Sequence, residues 1–284
     1  MVKDNKLIKP FVKWAGGKRQ LLPELRKRIP KQMSTYYEPF VGAGAVLFDL
    51  QPEKAIINDA NHELINAYKV IRDKVEQLIA DLKTHQNEKD YYYETRALDR
   101  TTEYEELSDV KRASRILYLN KTCFNGLFRV NQKGQFNVPF GKYKNPNIVN
   151  EEVLRAVSGY LNNNEVKILS TDFEEAIKYM RKEAFVYFDP PYHPLSDTSS
   201  FTSYTRDGFD EADQKRLKKL CDNLTKRGCR FLLSNSSADL ILELYKDYTI
   251  EYIDATRAIN SKADQRGEIK EVLVRNYEVN DLNG

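Results

Sequence analysis

The chain is poor in the residues that build disulfide and metal frameworks. Three cysteines, Cys123, Cys221 and Cys229, stand among 284 residues. Their number is odd and no two form a CxxC pair, which argues against a disulfide scaffold and a zinc site and fits a reducing, cytoplasmic compartment. Three scattered histidines add no ligand cluster, so no metal is expected. No apolar run approaches the ~20 residues of a membrane helix. The opening "MVKDNKLIKP" has no apolar segment of the kind that directs secretion, so no targeting signal is expected there. Neither GxGxxG nor GK[ST] occurs, which removes a dinucleotide fingerprint and a phosphate-cradling P-loop.

A second absence is local. From Val110 to Asn150 there is no Asp or Glu, although the chain carries 42 acids in 284 residues and such a window would hold about six. Lys111, Arg112, Arg115, Lys121, Arg129, Lys133, Lys142 and Lys144 make it basic. Phe124, Phe128, Phe136, Phe140 and Tyr143 are interleaved with Asn, Gln and Gly. Cations for phosphates, amides for base edges and rings for stacking form the mixture that nucleic-acid readers use, so a nucleic-acid partner is expected.

What remains is an ordinary globular composition, 41% hydrophobic and 31% charged. Strand-like runs occur at 55–58, 166–169, 185–188, 230–234, 248–253 and 271–277, β-branched or aromatic and bounded by turns. Leu64, Ile65, Tyr68, Ile71, Val75, Leu78, Ile79 and Leu82 predict one long amphipathic helix. Leu217, Leu220, Cys221 and Leu224 predict another, stopped by Gly228. Strands alternating with helices give an α/β sheet with helices on its faces. The last two runs have no helix between them and predict an antiparallel hairpin at the sheet edge. Residues 61–161 show no strand alternation and read as a mostly helical insertion between 1–60 and 162–284.

The chemistry concentrates in "FVYFDPPYHP" (185–194). An apolar strand ends in Asp189, then Pro190, Pro191 and Tyr192. Open α/β sheets bind ligands at the carboxyl ends of their strands. The prolines end the ladder, leaving carbonyls free to accept. A carboxylate, a rigid carbonyl and an aromatic plane within four residues suit a planar base bearing an exocyclic amino group. In "YYEPFVGAGAVLFDL" (36–50), Gly42 and Gly44 follow an extended run and let a ligand approach the backbone. In "AIINDANHEL", Asp59 ends a strand, where it could take ribose hydroxyls, cap the next helix, or do both. In "FVKWAGGKRQLLPEL", Trp14, the only tryptophan, sits by a Gly-Gly turn between Lys13 and Lys18. In "ILSTDFEEAI", Asp172 and Phe173 either cap a helix or flank an adenine.

KWAGGK, EPFxGxGxxxF, IND, TDF and DPPY in this order resemble the Dam-type DNA adenine-N6 methyltransferases with the α-class order of motifs, over nearly the whole chain. The resemblance implies a Rossmann-like sheet that binds S-adenosylmethionine (SAM), with 61–161 as the inserted DNA target-recognition domain. It implies SAM contacts from Trp14, Lys18, Phe40, Gly42, Gly44, Asp59, Asp172, Phe173 and Asp189, and a flipped adenine held by Asp189, Pro190, Pro191 and Tyr192. The segment 120–146 resembles the family's GATC-recognition region in double-stranded DNA. Arg129 matches an arginine that reads guanine and Lys13 a lysine on the outer guanine. Asn125, Leu127 and Pro139 match residues lining base edges and backbone, and Tyr143 falls in the same DNA-contacting segment. Phe124 stands where some relatives insert Tyr. Lys142 replaces an Arg, and a bidentate contact does not carry over to it. A cognate restriction endonuclease system is one partner the resemblance allows; a phage or housekeeping role fits it equally. An RNA or protein-amide methyltransferase, or a non-catalytic DNA binder, would share the fold. The basic insertion and the Asp, rather than Asn, that opens PPY favour catalysis on DNA.

Overall fold

The computed structural model describes residues 5–14, 16, 18–195, 208–255 and 269–279. Its frame is a sheet of β1 (Tyr36–Glu38), β2 (Lys54–Asn58), β3 (Glu165–Leu169), β4 (Phe185–Phe188), β5 (Arg230–Ser236), β6 (Thr249–Ala255) and β7 (Ile269–Arg275). The spatial order is β3-β2-β1-β4-β5-β7-β6. The first five strands run parallel. β7 slots antiparallel between β5 and β6, so the expected hairpin lies at the edge. The chain travels outward from β1 to β3 and then returns to place β4 on the other side of β1. Open α/β sheets bind ligands at such a reversal, here the carboxyl ends of β1 and β4.

The sheet is covered on both faces, which is why its strands read as continuous apolar runs rather than alternating ones. In β4, Phe185 and Tyr187 enter one core while Val186 and Phe188 enter the other. The first core is closed by α2 (Ala45–Leu50), α3 (His62–Asp73), α6 (Asp109–Thr122) and α7 (Glu151–Asn163); α1 (Leu22–Arg26), α4 (Val75–Leu82) and α5 (Lys89–Ala97) add to it. The second is closed by α8 (Phe173–Ala176), α9 (Glu211–Lys226) and α10 (Asp239–Leu244). In α9, Leu217, Cys221 and Leu224 face the core as the spacing predicts. The helix ends at Arg227, with Gly228 at φ +69°.

One expectation fails. The periodicity over 64–82 predicts a single helix, but the chain breaks at Lys74 (φ −141°, ψ 34°) into α3 and α4. Lys74 N–H still bonds Val70, and its carbonyl still accepts from Leu78. The bend keeps the same face inward for both halves, and both pack on α6, so the apolar period carries no trace of it.

Candidate active site

β4 is buried along its whole length, and the first polar side chain it can offer is the one that emerges at the rim, Asp189. The loop beyond is held from outside because its prolines cannot hold it from within. Gln214 of α9 donates to the Pro191 carbonyl at 3.0 Å, and Asn235 of β5 donates to Gln214 at 3.1 Å. Asn235 also accepts from His193 N–H, and Ser236 Oγ donates to the His193 carbonyl at 2.6 Å. The Pro190 carbonyl receives no donor among the described residues.

Lys18 Nζ lies 2.8 Å from Asp189 Oδ1, with side chains 6% and 18% exposed. Oδ1 is buried, and the Lys18 ammonium is its one partner among the described residues. Burial pushes the Asp189 carboxyl up to about 6; the Lys18 charge restrains the rise and Glu271 adds to it. The Lys18 ammonium donates to the Gly16 carbonyl at 2.8 Å and stands 4.6 Å from the centre of the Tyr192 ring. Burial pushes the Tyr192 phenol well up, so it keeps its proton, which it donates to Glu271 Oε2 at 2.8 Å. The resemblance implies a SAM contact for Lys18; the structure seats its ammonium against Gly16, Asp189 and Tyr192.

Across the crevice, Asp59 organises the glycine turn. Its two oxygens accept from Gly42 N–H (3.0 Å) and Asn61 N–H (2.9 Å). The cap of α3 is Asn61, whose side chain accepts from Leu64 N–H, so the helix-cap duty weighed for Asp59 falls to Asn61. Burial raises the Asp59 carboxyl and the two backbone donors pull it back. Gly44 sits at φ +72° against Tyr68, whose hydroxyl donates to the Gly42 carbonyl at 3.0 Å. Phe40, Phe173 and Phe209 form an aromatic group with centroids 5.4–5.8 Å apart. Asp172 caps α8 through Glu174 N–H and is also engaged by Arg216 at 3.0 Å, with the guanidinium 4.9 Å from the Phe173 ring. Trp14 stacks on Phe128 (4.6 Å, 21°) and lies against Gly42, where a Cβ would stand 3.1 Å from its ring.

The basic segment forms a ribbon, with antiparallel bridges Cys123–Phe140 and Val130–Phe136 in a stretch where no strand is predicted. Phe124 N–H donates to the Pro139 carbonyl. Phe124 is 51% exposed, and Asn125, Arg129, Pro139 and Lys142 are exposed with it, while Leu127 and Tyr143 are half-buried. Asn125 and Lys142 both take positive φ. The Arg129 guanidinium is steadied by Asn137 Oδ1 at 2.7 Å. From α5 and the turn after it, Tyr92 and Arg96 donate to the Val138 carbonyl, Arg100 donates to the Phe136 carbonyl, and Asp99 accepts from Phe136 N–H. Asn120 ties the ribbon to the first turn: it exchanges hydrogen bonds with Lys13 N–H and C=O and donates to Gly126 C=O. The exposed Lys13 ammonium lies 5.5 Å from the Tyr143 ring. Three of the window's eight cations are spent inside the fold, with Lys111 on Asp81, Arg112 on Glu63 and Arg115 on Asp99.

Several site residues escape the sequence reading. Asn58, buried beside Asp59, donates to the Pro39 and Thr171 carbonyls and accepts from Thr171 N–H, joining the loops after β1, β2 and β3. Gln214, Asn235, Ser236, Glu271 and Phe209 are also missed. The polar "SNSS" closing an apolar strand was a legible signal for Asn235 and Ser236.

A parallel sheet with this reversal, extended by the antiparallel β7, and an acid-Pro-Pro-Tyr loop at its switch point define the class: a methyltransferase on a Rossmann-like sheet. The chain belongs to the D12 class N6 adenine-specific DNA methyltransferases, whose family model matches residues 14–259. It is 51% identical over 280 residues to the Type II methyltransferase M1.LlaDCHI of Lactococcus lactis subsp. cremoris, covering 98% of this chain and 99% of the relative. It is 46% identical over 290 residues to the Type II methyltransferase M.MjaIII of Methanocaldococcus jannaschii, covering 95% and 99%. A DNA adenine methylase of Haemophilus influenzae is 35% identical over 272 residues, covering 93% and 92%. The protein is thus an enzyme that methylates adenine in DNA. Among the described residues no helix is long and apolar enough to cross a membrane.

Proposed function

We propose that the enzyme transfers a methyl group from SAM to N6 of an adenine flipped out of double-stranded DNA, within GATC, in partnership with a cognate restriction endonuclease system. The observation that carries this reading is the pair of acceptors at the end of β4, the Asp189 carboxylate, met only by Lys18 among the described residues, and the free Pro190 carbonyl, beside the Tyr192 ring. An adenine amino group brings two N–H donors and a ring face, which is what this constellation accepts. Inside a stacked duplex those atoms are out of reach, so the base must leave the helix.

The donor side fits SAM in the chemistry of its groups. Asp59 keeps acceptor capacity beyond its two backbone bonds for ribose hydroxyls. Phe40 and Phe173 offer apolar faces to an adenine, with Asp172 at their edge. Gly42 keeps the turn bare under Trp14, while Gly44 packs against Tyr68 and Phe48 behind it. SAM brings an activated methyl on a sulfonium, a good leaving group. As an N6–CH3 bond formed and the S–CH3 bond broke, Asp189 and the Pro190 carbonyl would favour a pyramidal N6 and stabilise its positive charge until one N6 proton left to solvent. Tyr192 carries the base plane, and the remaining contribution of the site is in-line placement. Residues 61–161 form the recognition domain in this reading, with Phe124, Asn125, Leu127, Arg129, Pro139, Lys142, Tyr143 and Lys13 facing DNA. A two-stranded ribbon fits the major groove.

Labelled SAM with GATC and non-GATC duplexes tests this directly. Transfer to adenine in GATC alone is expected; equal transfer to every duplex would refute the site specificity. Arg129→Ala is expected to cost about 1–3 kcal/mol of discrimination at a single base pair, as loss of a bidentate guanine contact does. A uniform affinity drop on all sequences would instead make Arg129 a phosphate contact. The pH dependence has a definite sign. Asp189 works as the ionised acceptor, and its folded value is about 6. Below that pH it gains a proton, so kcat/KM should fall as pH drops through about 6. Lys18→Met removes the charge that restrains the rise and should move the fall to higher pH. A profile flat from pH 5 to 8, an interval of about three units, would contradict the assignment.

A further inference from the structure

We infer that Glu271 is a positioning residue for methyl transfer: its carboxylate fixes the Tyr192 ring on which the target base rests. This role depends on the reading of residues 189–192 as the base site and deepens it. The Tyr192 hydroxyl donates to Glu271 Oε2 at 2.8 Å across 79 residues of sequence. Glu271 lies near the start of β7, opposite Ser236 of β5 and Ile253 of β6. Because β7 runs antiparallel, its beginning meets the rim where the parallel strands end. Ser236 donates there to the His193 carbonyl at 2.6 Å, so the β5–β7 pair holds Tyr192 by its side chain and the next residue by its backbone.

A tyrosine ring turns easily about its second torsion, where the energy well is broad. The hydroxyl lies on the axis of that torsion, so its tether to Glu271 fixes where the ring points, and the Lys18 ammonium, 4.6 Å from the ring centre, biases the ring plane. A stacking platform set before the base arrives spares the ordering that would otherwise accompany the reaction. Glu271 also adds to the upward push on the Asp189 carboxyl.

The test uses the full chain, a GATC duplex with 2-aminopurine at the target adenine to report flipping and stacking, and an unmodified duplex for turnover. Glu271→Leu is expected to lower kcat roughly ten- to a hundredfold, with KM for DNA little changed and the 2-aminopurine signal altered. Glu271→Gln, whose side-chain carbonyl still accepts, should restore most of the rate. Tyr192→Phe should lose about as much as Glu271→Leu, and the double variant no more than either, since both remove one bond. Additive losses, a Gln variant as poor as Leu, or a defect confined to KM would overturn the role. If Glu271→Leu does not fold, Tyr192→Phe leaves β7 intact, and an unchanged kcat there overturns it equally. Wild-type protein that leaves adenine unmethylated in the same assay would overturn the base-site reading itself, a result distinct from any pattern among the variants.

Discussion

Asp189→Ala is expected to abolish methyl transfer, by roughly a thousandfold or more, while the protein still binds the GATC duplex. The exocyclic nitrogen of adenine is a weak nucleophile because its lone pair is shared with the ring, and it becomes cationic as the new bond forms. The only side-chain carboxylate in the Asp-Pro-Pro-Tyr loop is Asp189, and among the described residues its Oδ1 is met by the Lys18 ammonium alone. The ribbon with Phe124 and Arg129 hangs from α5 and α6 and owes nothing to Asp189, so duplex affinity should survive. Removing the carboxylate also strips Lys18 of its ion-pair partner, but the ammonium keeps the Gly16 carbonyl and the Tyr192 ring. Asp189→Asn separates shape from charge: it preserves the outline of the loop and should remain severely impaired. Single-turnover transfer and fluorescence anisotropy measure the two halves of the claim. Turnover within tenfold of wild type in the Ala variant would end the assignment.

Gly44→Ala is expected to destabilise the fold by about 2–4 kcal/mol and to weaken SAM binding with it. The backbone at Gly44 is left-handed, φ +72°, a conformation that costs an alanine about 1 kcal/mol or more. The new methyl would also stand 2.6 Å from Tyr68 Oη and 2.9 Å from Phe48 Cε2, both in the buried core. Tyr68 cannot retreat without releasing the Gly42 carbonyl, and that bond shapes the turn whose N–H is pinned by Asp59. Gly134 provides the control. It has a similar φ, +77°, but nothing within 4 Å of an added Cβ, so Gly134→Ala should show the backbone cost alone. Thermal melts with and without SAM read both effects. Equal shifts for the two variants would show that the packing at Gly44 is irrelevant.

How much was legible in the sequence depended on how local each cause was. β4 could be bounded residue by residue because a strand buried on both faces must be apolar throughout and must stop where an acid and two prolines stand. The glycine turn and the loop's tyrosine were visible for the same reason. The partners of that loop were not, because Gln214 and Glu271 reach it from 23 and 79 residues away. Glu271 in particular needs the antiparallel register of β7, which no periodicity encodes. The acid-free window misled in part for a related reason: Glu63, Asp81 and Asp99, which occupy three of its cations, lie earlier in the chain. The break at Lys74 was invisible because both half-helices present the same stripe to α6.

The side chain of Asn120 has a mechanical consequence. One planar amide grips the backbone on either side of Lys13 and the carbonyl of Gly126, so the turn carrying Trp14 and Lys18 and the ribbon carrying Arg129 share a welded joint. In the proposed reading, a tilt imposed on the ribbon by a mismatched duplex would pass through Asn120 to the backbone at Lys13, and poor discrimination would then show in the reaction as well as in binding.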